Sequence, residues 1–265
     1  MLRRIASASF FAVVLSFQTP VANAQDQTTV IVTPRVWYSF ISAAQTYPAG
    51  NASVQHSTLP LYGGSIAVAP ANWGGTTLSL TAFYGNGNGN YNEGDACCVF
   101  NGHNDIKRFD VEGVAQFPLG TAGAYWSLGL RYILAESQST GKDQLGKPFS
   151  FYSEGKHYLG EIGVGASTAI NSSGSQRLFG GITLMAGTRN TENNDTCCTI
   201  FVNKETVTDG VVGIDTNFGY SANFGPATFY ARYRLFVLSE ANAFASPELM
   251  PVVHGPEFNL SFKLN

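Results

Sequence analysis

From Val30 onward the chain alternates apolar and polar residues with period two, and clusters of turn-forming residues interrupt the alternation at regular intervals. The C-terminal segment is the clearest case: Phe258, Leu260, Phe262 and Leu264 alternate with Glu257, Asn259, Ser261 and Lys263. Arg108 to Phe117 repeats the pattern, and so does Trp126 to Leu134, where Trp126, Leu128, Leu130, Tyr132 and Leu134 oppose Ser127, Gly129, Arg131 and Ile133. Such segments are strands with two different faces. Ten are expected, near 30–41, 58–69, 76–85, 106–117, 124–137, 155–169, 177–189, 208–223, 227–238 and 256–264. The connections alternate in length: Pro70–Gly75, Leu119–Gly123, Asn171–Ser175 and Asn223–Pro226 are tight, whereas Ser42–Ser57, Asn86–Asp105, Gln138–Glu154, Asn190–Val207 and Ser239–Gly255 are long.

Composition decides what the second face meets. Only 12% of residues are charged, 13% are aromatic, and Gly contributes 29 residues. A solvated all-helical domain, a coiled coil, a disordered acidic tail or a basic nucleic-acid binder needs more charge than this. A bundle of membrane helices needs repeated apolar runs of about 20 residues, which are absent here. Strands that give alternate residues to lipid satisfy both limits. The N-terminus agrees, since Arg3 and Arg4, the apolar stretch Phe10–Phe17 and Ala22-Asn23-Ala24 have the order of a secretory signal peptide. Residues 1–24 are expected to be removed and residues 25–265 to form one domain. The net charge then goes from −3 to −5, because Arg3 and Arg4 leave with the peptide.

These features resemble the outer-membrane β-barrel proteins of Gram-negative bacteria. The resemblance rests on the signal peptide, the strand ladder and the alternating end Phe258-Asn259-Leu260-Ser261-Phe262-Lys263-Leu264-Asn265. It implies a transmembrane antiparallel up-and-down barrel with short periplasmic turns and long extracellular loops. It also implies outer-membrane lipid, lipopolysaccharide and the barrel assembly machinery as partners; no cofactor, metal or nucleic acid is expected. The last strand of that class commonly ends in an aromatic residue; this chain ends in Asn265. Trp37, Tyr38, Phe40, Tyr62, Phe83, Tyr84, Phe229, Tyr230 and Tyr233 gather near strand ends and are expected to form the aromatic girdles.

With the apolar faces turned to lipid, Arg35, Arg108, Asp110, Glu112, Arg131, Glu161, Arg177, Arg189, Asp215, Arg232, Arg234, Glu257 and Lys263 point into the lumen. Acids and bases fall on adjacent strands: Asp110 and Glu112 beside Arg131, Arg131 beside Glu161, and Arg232 and Arg234 beside Glu257. An isolated charge in a narrow barrel is unfavourable, so these groups are either paired into a filling network or hydrated along a thin path whose Arg excess would select small anions. A ten-stranded lumen is too narrow for a general porin. An enzyme at the rim is the alternative function, with His103 beside Asp95 and Asp105, or His254 beside Glu257, as an acid-base pair. His56 lies in an outer loop and His157 at a strand's outer end; no nucleophile elbow or metal-binding helix motif is present. Asn86-Gly87-Asn88-Gly89-Asn90 reads as a flexible hairpin loop. A soluble secreted β protein is the remaining alternative.

Cys97-Cys98 and Cys197-Cys198 are the only cysteines, each pair preceded by an Asp two residues earlier. Val111-Glu112-Gly113-Val114 and Val211-Val212-Gly213-Ile214 continue the parallel at the same offset, which suggests a duplicated four-strand unit. An exported chain should oxidise its thiols. Adjacent cysteines sit about 3.8 Å apart at Cα, closer than the ~4.4–6.8 Å that disulfides prefer. Disulfides joining the second and fourth outer loops are therefore expected, with vicinal disulfides or a four-thiolate metal site as alternatives. Non-reducing peptide mapping distinguishes them: peptides linking the first pair to the second are expected, and linkage only of Cys97 with Cys98 and Cys197 with Cys198 removes the clamp.

Overall fold

A computed structural model describes residues 27–46, 52–94, 99–120, 123–143, 145–197, 201–240 and 252–264. Residues 1–24, expected to be a signal peptide, lie outside the described residues together with Asp95, Cys97, Cys98 and Cys198, and Cys197 is described only as the last residue of its strand. Ten antiparallel strands form one closed barrel, each bonded to its chain neighbours, with the last paired to the first. They are β1 (Thr29–Thr46), β2 (Ala52–Ala69), β3 (Thr77–Gly94), β4 (Val99–Pro118), β5 (Ala124–Asp143), β6 (Pro148–Ala169), β7 (Gln176–Cys197), β8 (Phe201–Phe224), β9 (Ala227–Glu240) and β10 (Val252–Leu264). Closure leaves no strand edge, so every strand has a ladder on both sides.

The outward face is apolar over a continuous belt. Val32, Val36, Tyr38 and Phe40 on β1, Leu128 and Leu130 on β5, Ile162 and Val164 on β6, and Phe258, Leu260 and Phe262 on β10 are all exposed. A solvated sheet would not present such a belt all round, whereas lipid requires it. Tyr62, Tyr84, Tyr158 and Tyr233 are among its exposed aromatics.

At the end carrying the tight turns, the strand limits agree with the alternation to within about one residue. At the other end every strand runs further: β3 continues to Gly94 and β8 begins at Phe201. Asn86–Asn90 is therefore strand, all five residues paired with β4 and Asn88, Gly89 and Asn90 also with β2, and His56, His103 and His254 also lie in strands. A membrane crossing needs about 9–11 residues, so strands of 18–24 residues such as β3 to β8 project beyond the belt. Past the lipid neither face need be apolar, and the period-two signal stops although the ladder continues.

The expected girdle is divided by the barrel wall. Trp37 and Phe83 are buried, at 0% and 3% exposure, while their neighbours Tyr38 and Tyr84 face outward. Adjacent residues of a strand point to opposite faces, so each aromatic dipeptide is split across the wall. The same rule breaks the proposed duplication: Glu112 faces the lumen on β4, but Val211 shares the inward face of β8 with Asp215, which turns Val212 outward.

Leu130, 74% exposed on the lipid face, and Gln138, exposed on the same strand beyond the belt, give a direct test. Leu130→Arg is expected to destabilise the folded barrel by ~2–4 kcal/mol and Gln138→Arg by ~0–1 kcal/mol, measured by denaturant titration in lipid vesicles; equal effects would contradict the position of the belt.

Candidate functional site

Residues sharing the inward parity fill the lumen in layers. Nearest the extracellular end is a polar tier of Ser39, Ser57, Asn104, Ser139 and Ser239, all buried. Below it Trp37, Leu59, Leu61, Phe83, Ile133, Leu159, Met185, Phe236 and Leu238 form one apolar cluster across the barrel. Trp37, Leu59 and Leu61 are at 0% exposure and Phe236 is at 2%. The interior of this transmembrane barrel is thus packed there like the core of a soluble protein.

The next tier toward the periplasmic end is ionic. Arg131, on β5, is held by three carboxylates: Glu112 on β4 at 2.8 Å, Glu161 on β6 at 2.8 Å and Asp215 on β8 at 3.0 Å. Glu257, on β10, is held by three guanidiniums: Arg35 on β1 at 2.7 Å, Arg232 on β9 at 2.8 Å and Arg234 on β9 at 3.7 Å. Asp215 and Arg234 form a close pair that joins the two halves. Register explains the pattern. Glu112 lies directly across from Arg131, and Arg232 directly across from Glu257. Glu161 faces Gly129 and Arg35 faces Asn259, so each reaches its partner diagonally. Four guanidiniums meet four carboxylates in this tier.

The cations also pack against the apolar tier. Arg234 lies 4.6 Å from the Trp37 ring, Arg35 5.1 Å from Phe83, and Arg131 5.4 Å from Phe236. Each charge thereby gains a quadrupolar contact where water is excluded. Arg108 forms a bidentate pair with Asp110 of its own strand, at 2.7 and 2.8 Å, and stacks 4.7 Å from Phe236. Residues two apart share a face, so Asp110 takes Arg108 rather than the expected Arg131.

Other candidates sit apart. Lys263 is exposed near the end of β10 and lies outside this buried tier. Arg177 bonds the hydroxyl and carbonyl of Ser167, and Arg189 pairs with Asp209 at 3.0 Å. His254 does not meet Glu257: the two differ by three residues and take opposite faces, with His254 bonded to the Tyr233 hydroxyl at 2.6 Å. His103 lies 3.3 Å from Asp105, but both side chains are more than half exposed. His157 faces inward on β6, opposite Ile133 and Arg189. The apolar tier was missed from the sequence, although parity identifies it: Trp37 lies two residues from Arg35, Ile133 two from Arg131, and Phe236 two from Arg234.

No protein-family model and no curated protein sequence matches the chain. The structure is similar to the outer-membrane protease OmpT of Escherichia coli, with a TM-score of 0.58 at 11% identity over 92% of this chain and 99% of that one. It is also similar to the translocator domain of the autotransporter NalP of Neisseria meningitidis, with a TM-score of 0.52 at 9% identity over 88% of each chain. At these identities the likeness is one of fold, and the fold is that of an outer-membrane β-barrel. With the lipid-facing belt, it places the chain in the bacterial outer membrane.

Glu257 is fully buried among three cations, and Arg131 among three anions. Glu257→Ala is expected to cost about 3–5 kcal/mol, since it leaves buried charge uncompensated, whereas replacing Arg108 and Asp110 together by Met and Leu is expected to be near neutral. Urea unfolding followed by heat-modifiable gel mobility compares them, and a harmless Glu257→Ala would contradict the network.

Proposed function

We propose that this chain is a plugged structural barrel that presents its extracellular extension at the cell surface, exported by a cleaved signal peptide and inserted by the outer-membrane assembly machinery. One observation carries this reading. The apolar tier around Trp37, Leu59, Leu61 and Phe236 crosses the lumen with these four side chains at 0–2% exposure, which supports a closed passage. The ionic tier argues in the same direction. A selective anion path needs an excess of cations, and here guanidiniums and carboxylates are matched. The projecting strands, rich in Asn, Gly, Thr and Ser, supply a broad surface toward lipopolysaccharide sugars and the exterior.

A rim-active enzyme has one observation in its favour, the contact between His103 and Asp105. Their exposure leaves the pair screened by water, which weakens proton transfer and gives no enclosed place for a substrate.

Planar-bilayer recording tests the plug. Wild-type protein is expected to give no single-channel steps, and the double variant Trp37→Ala with Phe236→Ala is expected to give small ones. Regular steps from the wild type would overturn the reading.

A further inference from the structure

The ionic tier divides into two unlike walls. On β4–β5–β6 one guanidinium, Arg131, is flanked by two carboxylates, Glu112 and Glu161. Five strands further round, on β9–β10–β1, one carboxylate, Glu257, is flanked by two guanidiniums, Arg232 and Arg35. In a ten-stranded ring these two groups of strands stand diametrically opposite. Carboxylates outnumber guanidiniums two to one on the first wall and guanidiniums outnumber carboxylates on the second, and Asp215 with Arg234 links the two. The tier therefore places acids and bases on opposite sides of the lumen.

A polar cavity of about 130 Å³ lies against this tier, lined by Glu112 and Glu161 on one side and by Arg35 and Arg232 on the other. Tyr125 and Asn217 also line it, on the periplasmic side of the charges. Its volume is well above the ~10–15 Å³ that a single water requires. The apolar tier closes the extracellular side, so access is from the periplasmic half of the barrel; that route rests on the plug described above.

We propose that this cavity binds a small zwitterion, an organic molecule with an ammonium at one end and a carboxylate at the other. The ammonium faces Glu112 and Glu161, which accept its N–H bonds. The carboxylate faces Arg35 and Arg232; Arg232 donates from Nη1, which lies outside its bonds to Glu257, while Nη1 of Arg35 also bonds Thr81. Both ligand charges then enter low-dielectric surroundings opposite fixed counter-charges, so little rearrangement accompanies binding. A lone anion or a lone cation satisfies only one wall and leaves the other facing an unfilled site. The ligand class follows from the arrangement of signs, since a matched set of charges spread evenly round the lumen would favour neither orientation.

The test is calorimetric titration of the refolded full chain in detergent micelles with glycine, β-alanine and γ-aminobutyrate, and with acetate and methylammonium as single-charge fragments. At least one zwitterion is expected to bind, each fragment ~10–100-fold more weakly, because one charge-assisted contact set is lost. Glu112→Gln and Arg232→Gln are each expected to weaken the zwitterion by a similar factor. Because these variants disturb the network and can impair folding, Thr183→Leu provides a second probe: Thr183 lines the cavity without joining an ion pair of the tier. It is expected to abolish binding while leaving heat-modifiable mobility unchanged. Acetate binding as tightly as β-alanine, binding that survives Thr183→Leu, or no binding by any of the three zwitterions overturns the proposal. Binding accompanied by channel steps would overturn the plug and leave the site standing, so the two readings fail separately.

Discussion

Every backbone N–H and C=O that lies in lipid must be paired within the protein, and for strands only a closed ring meets that requirement. Here the ring closes where β10 meets β1. Once it is closed, one face of each strand belongs to lipid and the other to the lumen. Apolar belt, buried charges and interior core are then consequences of a single parity. The seam itself is fastened from inside: Glu257 on β10 bonds Arg35 on β1 and Arg232 on β9, and the hydroxyls of Thr33 and Ser261 meet at 2.7 Å across the same junction.

The lumen answers the energetic problem of buried charge in two ways. Each ion in the central tier is matched, and several guanidiniums lie over aromatic rings of the tier above. Paired buried ions add little net stability compared with apolar residues of similar volume, because desolvation offsets their attraction. Their contribution is directional. A three-fold-coordinated Arg131 and a three-fold-coordinated Glu257 each bind strands to their neighbours, and Asp215 with Arg234 ties the two halves across the space between. A lumen filled only with aliphatic side chains would leave the relation between the two walls less defined.

Much of this was legible in residue order. Phe258, Leu260 and Phe262 opposite Glu257, Asn259 and Ser261 identify the faces of β10 without coordinates, and the tight turns mark the periplasmic strand ends. The far ends were not legible: Asn86 to Asn90 have turn chemistry by composition, yet β4 supplies ladder partners to all five and β2 to the last three. Aromatic clustering misled for a related reason. Trp37 and Tyr38 are adjacent in sequence but separated by the barrel wall, and only strict parity counting assigns them to different surroundings.

The sequence by itself determined that the chain is a lipid-facing barrel, which strands compose it and which charges point inward, because period two and the demand for backbone pairing act locally along each strand. The tertiary structure alone decided which charges meet, that Trp37, Leu59 and Phe236 close the lumen, and that carboxylates and guanidiniums gather on opposite walls. Those outcomes depend on closure and register, which bring residues more than two hundred positions apart, such as Arg35 and Glu257, to within 2.7 Å. Local patterning carries no record of which distant strand completes the ring.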